Sequence, residues 1–440
     1  MMNDGTTDNA RIVITGLGVI SCAGRTADQF WTTLNRSSSE VPLTSAASGT
    51  SAEAGRPVPR GTADFSGSID DFGNLPDDKR KFIRKALKLM NRETQMGVAA
   101  GQQALADSGA GDYYDPDRFG ICFGADNVSI MPDDFERGIQ ACCEADGAFD
   151  IERWGTNGID EVAPLWILKC LPNMPACHLA IINDLRGPSN TITQRDVSAN
   201  IAVAEACRAI RAGDTDAVLV GATGTTLSAF NLMHSQLEDE VLDVDAVCRP
   251  FDRHRTGSAA GEGAAAFVLE ELSCAVRRGA QIYGEVLGTA SASCVGTTTA
   301  AGCRRSLTQA MQQVLRRSGQ TVAAIGHIHA HGLGTRVSDM AESLAICDVF
   351  GSEARSKPVV AAKSHLANAA AGAGALELAA SLLALRHQHL FPVLNFEHAD
   401  PDCPVRPVQR SDEPAGNSFL NLNLFGRGLA SCVAVGAYRG

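Results

Sequence analysis

Hydrophobic and polar positions divide the chain into short apolar runs and longer segments in which apolar residues recur at helical spacing. The short runs are typical of buried strands, and they fall near 11–21, 118–126, 191–193, 216–224, 261–272, 282–293, 327–332, 357–363, 417–425 and 429–439. Helical spacing falls over 77–109, from 196, near 307–317, from 338 and over 367–385. Because strands alternate with helices, we expect an α/β fold whose parallel or mixed sheets are covered by helices.

The order of the elements is similar in the two halves of the chain, which predicts a pseudo-duplicated, layered α/β architecture. We place the halves at 1–258 and 259–440. Two segments interrupt the first half: a polar stretch rich in Ser, Gly and Pro near 37–76, and an irregular, partly acidic stretch near 126–165.

The net charge of −12 over 440 residues argues against nucleic acid and anionic membranes as partners, because both are bound through clustered Lys and Arg. The first residues lack an apolar core, so we expect no signal peptide. The most apolar long stretch, 367–385, contains Glu377 and suits a packed helix better than a membrane span. The fourteen cysteines form no CxxC pair and no zinc-site spacing, which favours free thiols. We therefore expect a cytoplasmic protein that binds no metal and no membrane.

The segment NTITQRDVSAN, at 190–200, combines a strand, a tight turn and the start of a helix, with Asp196 in the turn. Such an elbow is a common place to expose a nucleophile. Asp is also among the best helix N-caps, since its carboxylate accepts hydrogen bonds from free backbone N–H groups and suits the positive end of the helix dipole. The residues alone favour the cap.

Segments spread along nearly the whole chain resemble the elongating β-ketoacyl-acyl-carrier-protein synthases. RIVITGLGVIS at 11–21 resembles their first strand, and CRPFDRHRTGSAAGEG at 248–263 resembles their pattern RPFD-x-x-R-x-G-x-x-x-G-E-G. HAHGLGTRVSDMAE, KSHLANAAAGAGALELAASLLAL and LNLFGRG follow in the family's order. The resemblance implies a thiolase-like fold, in which two similar halves form αβαβα layers.

The resemblance assigns roles to positions, and two of them carry unexpected residues. Laying the family's TACxSG onto QRDVSA places Asp196 where the synthases have the Cys that carries the acyl chain as a thioester, with Ser198 at the family's Ser. The family's KSxxGH lies on 363–368, so Lys363 is kept and Asn368 stands at the second catalytic His. The pattern of the first catalytic His is kept, with the residues His331, Gly332, Thr335, Asp339 and Glu342.

The gating loop of the family, GFGG, corresponds to LFGRG at 424–428. Phe425 is kept, Asn423 stands where a gating Phe would be, and Arg427 replaces a Gly. The resemblance implies that Asn423 and Phe425 line the substrate site.

These replacements bear on the chemistry. A carboxylate is a weak nucleophile, and an acylated Asp196 would be a mixed anhydride, which hydrolyses too readily to hold a chain. Asn368 donates a hydrogen bond but supplies no proton and no charge, which also disfavours malonyl decarboxylation. The polar residues that remain are expected to form one buried cluster, made of His331, Lys363, Asp339, Glu342 and the Asn368 amide.

Relatives that lose the nucleophile are the chain-length-factor subunits of type II polyketide synthases, which pair with a Cys-bearing ketosynthase and commonly have Gln at the elbow. The leading interpretation is a non-condensing subunit of this kind, in a heterodimer of polyketide or specialised fatty-acid biosynthesis. The alternative is an enzyme in which Asp196 and His331 act as acid and base, to transfer an acyl group from a carrier to an amine or hydroxyl, or to cyclise a bound chain. A third interpretation is a homodimer that binds acyl chains or carrier protein without turnover.

The segment from Lys79 to Arg92 carries seven basic residues and no acid. The resemblance implies that an acidic acyl carrier protein, with the acyl group on its phosphopantetheine, docks on this helix, although such a run is also usual on a solvated helix face. No other cofactor is expected. The subunit interface is expected at the strand near 118–125 and at the elbow strand. The expected docking residues are Lys79, Arg80, Arg84, Lys85 and Lys88.

Overall fold

The computed structural model describes residues 10–36, 61–126, 134–228, 230, 231, 233, 242, 243, 247–296, 298–426 and 428–439. Residues 37–60 and 127–133, which belong to the two predicted insertions, and Arg427 of the predicted gating loop lie outside the described residues. What is described of the insertions consists of loops and short helical turns, as their irregular patterns predict.

The longer strands coincide with the apolar runs of the sequence. Those near 11–21, 118–126, 216–224 and 261–272 are buried at nearly every position, because helices cover both faces, and such strands are continuously apolar rather than alternating. The strands are β1 Ile12–Ser21, β2 Phe119–Gly124, β3 Ser189–Ile192, β4 Ala217–Thr225, β5 Leu242–Asp243, β6 Ser258–Ala259, β7 Glu262–Glu271, β8 Gly284–Ser293, β9 His327–His329, β10 Pro358–Val360, β11 Arg406–Pro407, β12 Ser418–Phe425 and β13 Leu429–Gly436.

Two sets of five strands repeat the same order and direction. From edge to centre the first set runs β3, β2, β4, β7, β1 and the second runs β10, β9, β12, β13, β8, with β11 outside β10. In each set the outer three strands are parallel and the inner pairings are antiparallel. A short antiparallel pairing of β1 with β8 joins the sets. The predicted pseudo-duplication is confirmed.

The predicted division after residue 258 assigns β7 to the second half of the chain. In the sheet, β7 lies between β1 and β4, among the strands of the first set.

The helices form layers around and between the two strand sets. The helix Arg92–Ser108 packs on the first strand set, and the helix Thr299–Ser318 packs on the second. The helices Ser198–Arg211 and Ala373–His387 lie between the two sets, which gives the αβαβα arrangement. The helices are α1 Ala27–Leu34, α2 Asp77–Ala86, α3 Arg92–Ser108, α4 Glu136–Ala141, α5 Ile167–Cys170, α6 Met174–Asn183, α7 Ser198–Arg211, α8 Leu272–Arg277, α9 Thr299–Ser318, α10 Arg336–Phe350, α11 Lys363–Leu366 and α12 Ala373–His387.

The Ala-rich helix α12 is buried from Ala373 through Leu385, which explains its composition: small residues let a helix pack closely on all sides. It begins six residues later than the predicted span of 367–385. Ala367 and Ala370 adopt left-handed backbone, with φ of 61° and 47°, and this conformation interrupts a right-handed helix. No helix in the described parts of the chain is long and apolar enough to cross a membrane.

Candidate functional site

The candidate residues meet at one edge of the strands. The elbow follows β3, His331 follows β9 and Lys363 follows β10, while Asn423 and Phe425 lie at the end of β12. In each set these strands are parallel, so their carboxyl ends lie together, where α/β folds commonly place their sites. Asp196, His331, Lys363, Asn368 and Asn423 are at most 2% exposed.

The elbow is a 3-10 turn at Arg195–Val197, and helix α7 begins at Ser198. The Ser198 hydroxyl accepts a hydrogen bond of 2.8 Å from the backbone N–H of Gln194, which closes the turn. A Cβ at Gly124 would come within 2.9 Å of the Ser198 Cβ, so the glycine allows the elbow to pack against β2.

Asp196 does not cap the elbow helix, so the prediction of a cap is wrong. Its side chain makes no capping hydrogen bond, because the preceding turn places the helix start two residues beyond it. The Oδ1 atom of Asp196 is buried without a hydrogen-bond partner among the described residues. The carboxylate instead acts electrostatically on Lys363 and Glu377.

Lys363 is the centre of a buried polar cluster. Its Nζ donates to the backbone oxygen of His331 at 2.9 Å, lies 3.1 Å from Nδ1 of the same residue, and forms an ion pair with Glu377. The second carboxylate oxygen of Glu377 accepts a hydrogen bond of 2.6 Å from the Asn423 amide. The cluster therefore links β9, β10, α12 and β12.

The charges in this cluster follow from burial and from its partners. Burial disfavours the Lys363 ammonium, but the charges of Glu377 and Asp196 outweigh it and leave the pKa of Lys363 above its ordinary value. Burial raises the pKa of Glu377 to about 7, against the opposing effect of Lys363. Burial, assisted by Lys363, holds the pKa of His331 well below its ordinary value, so this imidazole is neutral.

The tautomer of His331 follows from its neighbour. Nδ1 faces the Lys363 ammonium, which only donates, so Nδ1 accepts and the imidazole proton lies on Nε2. The strand end that carries this histidine is held by Glu342, whose carboxylate accepts from the N–H groups of His331 at 2.7 Å and Gly332 at 2.9 Å.

Asp339, the other acid of the pattern around His331, also contacts backbone groups. Asp339 accepts from the backbone N–H groups of Phe251 at 2.8 Å and Gly334 at 3.0 Å, and lies 3.8 Å from Arg255. The predicted buried cluster is thus present for His331, Lys363 and Glu342, while Asp339 acts on Glu342 through its charge rather than through a hydrogen bond.

Asn368 does not join that cluster through a hydrogen bond. Its amide oxygen accepts from the N–H of Ala370 at 3.1 Å, within its own turn, and its backbone oxygen accepts from the Thr226 hydroxyl at 2.7 Å. The amide oxygen of Asn368 is therefore hydrogen-bonded within its own turn and not to His331.

Two residues of the site were missed by the reasoning from sequence. Glu377 is the only acid in the Ala-rich stretch and lies 14 positions after Lys363, a separation at which no local pattern joins the two. Arg195, next to Asp196, is 5% exposed, and its guanidinium carbon lies 5.6 Å from the centre of the Phe425 ring. A charged residue in a turn of a buried motif was the available signal.

The predicted carrier-docking residues divide into two groups. Lys79 donates to Asn183 at 2.9 Å and Arg80 forms an ion pair of 2.8 Å with Asp70, so both are held by neighbours. The exposed Phe82 lies among the remaining side chains of the same helix. The exposed basic residues of this patch are Lys81, Arg84, Lys85 and Lys88.

A separate pair of buried acids lies at the end of β2. Glu93 accepts a hydrogen bond of 3.3 Å from the backbone N–H of Asp126. Burial, and then the charge of Asp126, raise the pKa of Glu93 to about 8. The protein therefore binds a proton at Glu93 over the pH range in which the unfolded chain has released it.

This proton makes stability depend on pH. The stabilisation is complete below the ordinary carboxyl pKa of 4.5 and is lost as the pH rises through about 8, so the melting temperature should fall between pH 5 and pH 8.5. One such proton contributes a slope of up to about 1.4 kcal/mol per pH unit. The Glu93→Gln variant, which keeps the acceptor oxygen, should flatten the slope in thermal denaturation. The exposed Glu161→Gln variant is the control, and an unchanged slope in Glu93→Gln would contradict the assignment.

Comparison with known proteins identifies the class. The model of the β-ketoacyl synthase N-terminal domain matches residues 9–275, and that of the β-ketoacyl synthase C-terminal domain matches residues 283–397. The chain belongs to the β-ketoacyl synthase family and has its thiolase-like fold.

Particular relatives come from fatty-acid and polyketide synthesis. The chain is 27% identical over 438 residues to 3-oxoacyl-[acyl-carrier-protein] synthase 2 of Synechocystis sp., covering 96% of each chain. It is 30% identical over 407 residues to the actinorhodin polyketide putative beta-ketoacyl synthase 1 of Streptomyces coelicolor, covering 90% of this chain and 81% of the relative. Among solved structures it is similar to the ishigamide ketosynthase/chain length factor, with a TM-score of 0.78, 26% identity, and coverage of 98% and 100%.

Within the described residues, no group of three or more His, Cys, Asp or Glu side chains could hold a metal ion. All fourteen cysteines are free.

Proposed function

We propose that this protein is a non-condensing, chain-length-factor-like subunit that pairs with a Cys-bearing ketosynthase in polyketide or specialised fatty-acid biosynthesis. The observation that carries the proposal is the state of position 196: a carboxylate, 2% exposed, stands at the elbow beside the Lys363–Glu377 ion pair. The ordinary reaction needs a thiolate there to hold the acyl chain.

Asp196 is poorly suited to replace that thiolate. Its charge is part of the electrostatic balance of Lys363, so acylation would remove a stabilising negative charge from a buried ammonium. The product would be a mixed anhydride, which water hydrolyses far more readily than a thioester. A chain held there would be lost rather than extended.

Asn368 supports the same proposal from the second half-reaction. Its amide oxygen is engaged by the Ala370 N–H, and an amide supplies neither a proton nor a positive charge to a developing enolate. His331 alone offers an imidazole Nε2–H, which leaves the enolate with one imidazole where the ordinary reaction uses two.

An exposed surface fits the required partner chain. Strand β3 is the outermost strand of its set among the described residues, and its first two residues are exposed. The neighbouring helix α6 exposes 64% of Ile181. A free strand edge beside exposed apolar side chains is a surface that proteins usually cover. Strand β2, the other predicted interface strand, lies one position in from this edge.

Substitution of Ile181 by Glu should therefore weaken association with the partner. Because an apolar side chain at an interface loses its buried area and brings in a charge, we expect the dissociation constant to rise at least about tenfold. Analytical ultracentrifugation of the mixed subunits measures it. Val276, 54% exposed on helix α8, provides the matched variant Val276→Glu. Equal effects of both substitutions would contradict an interface at α6.

The basic patch formed by helix α2 and the 3-10 turn Leu87–Leu89 after it is proposed to receive the carrier protein. Reversal of two exposed charges, in the variant Arg84→Glu/Lys88→Glu, should weaken carrier binding at least about tenfold at low salt, and the difference should shrink as salt is added. Reversal of the exposed Arg316 on helix α9 is the control. Equal carrier affinity of the α2 variant and the wild type, measured by fluorescence anisotropy of labelled carrier, would exclude this patch.

One observation favours the alternative, an acid/base enzyme that acylates an amine or hydroxyl. Oδ1 of Asp196 has no hydrogen-bond partner in the described part of the chain and can accept from such a donor, and neutral His331 carries a proton on Nε2. This alternative requires turnover by the isolated protein.

Reconstitution separates the possibilities. The protein, a Cys-bearing ketosynthase encoded beside it, and malonyl-carrier protein are combined and the products are sized by mass spectrometry. The proposal expects elongation only with both chains present. Elongation of equal length and rate by the ketosynthase alone would overturn it.

A further inference from the structure

The side chain of Arg195 occupies an unusual place. In the family's motif TACxSG this position is an Ala, whereas here it is an arginine that is only 5% exposed. Removal of a guanidinium from water is costly unless its surroundings compensate. An arginine buried beside position 196 therefore has a defined place in the structure rather than a solvated one.

The backbone of Arg195 is also in a rarely occupied conformation. Its φ is 50°, in the left-handed region, which is unfavourable for a residue with a Cβ. Such a conformation persists only where neighbouring contacts hold it. The hydrogen bond from the Gln194 N–H to the Ser198 hydroxyl spans the turn, and the side chain is held at its other end by Phe425.

Phe425 is the last residue of β12, and it pairs with Leu429 across the turn to β13. A guanidinium 5.6 Å from the ring centre is within the range of a cation–π interaction. Two residues earlier on the same face of the strand, Asn423 is bound to Glu377. The end of β12 is thus fastened to the elbow through Phe425 and to helix α12 through Asn423.

We propose that Arg195 is the residue that excludes carrier-bound acyl chains from position 196, by holding Phe425 against the elbow. The contact joins the end of β12 to the elbow turn, and Asp196, which lies in that turn, is 2% exposed. The closure is inferred from this contact and from the burial of residue 196. Its consequence for the complex rests on the proposed function: a subunit that cannot receive the chain leaves every carrier-bound chain to the ketosynthase partner.

Thiol labelling at position 196 tests the closure. The Asp196→Cys variant places a reporter thiol there, and its rate of alkylation by iodoacetamide is read from the peptide that contains residue 196. A second substitution then opens the contact, either Phe425→Leu, which keeps the arginine charge, or Arg195→Ala, which installs the family's residue. Both are expected to raise the rate at least tenfold. Loss of the Arg195 charge by itself would lower the alkylation rate, because a nearby cation raises the thiolate fraction of a cysteine. A higher rate in the Arg195→Ala variant therefore reports access to residue 196.

Cys207, buried in helix α7, is the internal standard. Its rate should stay constant in all variants. No increase at residue 196 in the Phe425→Leu variant, or a parallel increase at Cys207 that marks general loosening, would overturn the proposal.

If the Asp196→Cys variant fails to fold, hydrogen exchange of the protein that keeps Asp196 tests the closure instead. Arg195→Ala should speed amide exchange over 194–200 and leave helix α3 unchanged, and equal exchange over 194–200 would also overturn the closure. Neither measurement involves a partner chain, so failure of the closure is distinct from failure of the heterodimer proposal, which the reconstitution decides.

Discussion

Replacement of Lys363 by alanine is expected to lower the free energy of unfolding by about 3–5 kcal/mol, the usual cost of removing one partner from a buried ion pair. The ammonium is 1% exposed and is the cation that faces both Glu377 and Asp196. Without it, two carboxylates share a buried site, and at least one must take up a proton or move toward water. Urea denaturation followed by circular dichroism measures the change.

Two variants show whether the loss comes from the buried pair. Lys363→Met/Glu377→Leu/Asp196→Asn removes the cation and both carboxylate charges that face it, and should recover most of the lost stability, because apolar and neutral side chains of similar volume avoid the desolvation of the ions. Breaking the exposed pair of Arg410 and Asp412 with Arg410→Ala should leave the unfolding free energy unchanged within error. A Lys363→Ala variant as stable as the wild type would show that the cluster is not the buried ion pair described.

The second large effect concerns condensation. In an Arg195→Ala background, so that access does not limit the reaction, Asp196→Cys alone should give no condensation above background. The further change Asn368→His should raise the rate by at least about 10²-fold, since general acid–base and electrostatic contributions of one positioned group are of this size. The product is measured by mass spectrometry of the carrier-bound chain.

The variant that carries only Asn368→His, in the same Arg195→Ala background, provides the control. Asn368→His without the Cys should remain inactive, because no nucleophile holds the chain. Condensation by the Asp196→Cys variant at the rate of the variant with both changes would show that Asn368 is not what limits the second half-reaction.

Most of the fold could be predicted from the sequence because its strands are continuously apolar and its helices carry clear spacing. The runs at 11–21 and 261–272 became β1 and β7, and the runs at 417–425 and 429–439 became β12 and β13 with nearly their predicted bounds. The start of α7 was misplaced by two residues, because a left-handed residue at Arg195 inserts a turn that no propensity indicates.

In the candidate site, only the residues that lie within recognisable sequence motifs could be predicted. Lys363, His331 and Glu342 were placed correctly in one buried cluster because each lies within a recognisable pattern. Glu377 and Arg195 were missed, since their contacts join elements that are distant in sequence: α11 with α12, and the elbow with the end of β12. The Asn368 amide was expected in the cluster but bonds within its own turn, a choice set by the left-handed backbone of Ala370.

We propose that position 196 holds no chain and performs no condensation. Intact-mass spectrometry of the isolated protein, after incubation with acyl-carrier and malonyl-carrier protein, tests this most directly. We expect an unchanged protein mass and unchanged carrier masses over many hours. An acyl adduct on the protein, an elongated chain on the carrier or loss of carbon dioxide from malonyl-carrier, absent in the Asp196→Asn variant, would contradict it and establish Asp196 as a working catalytic residue.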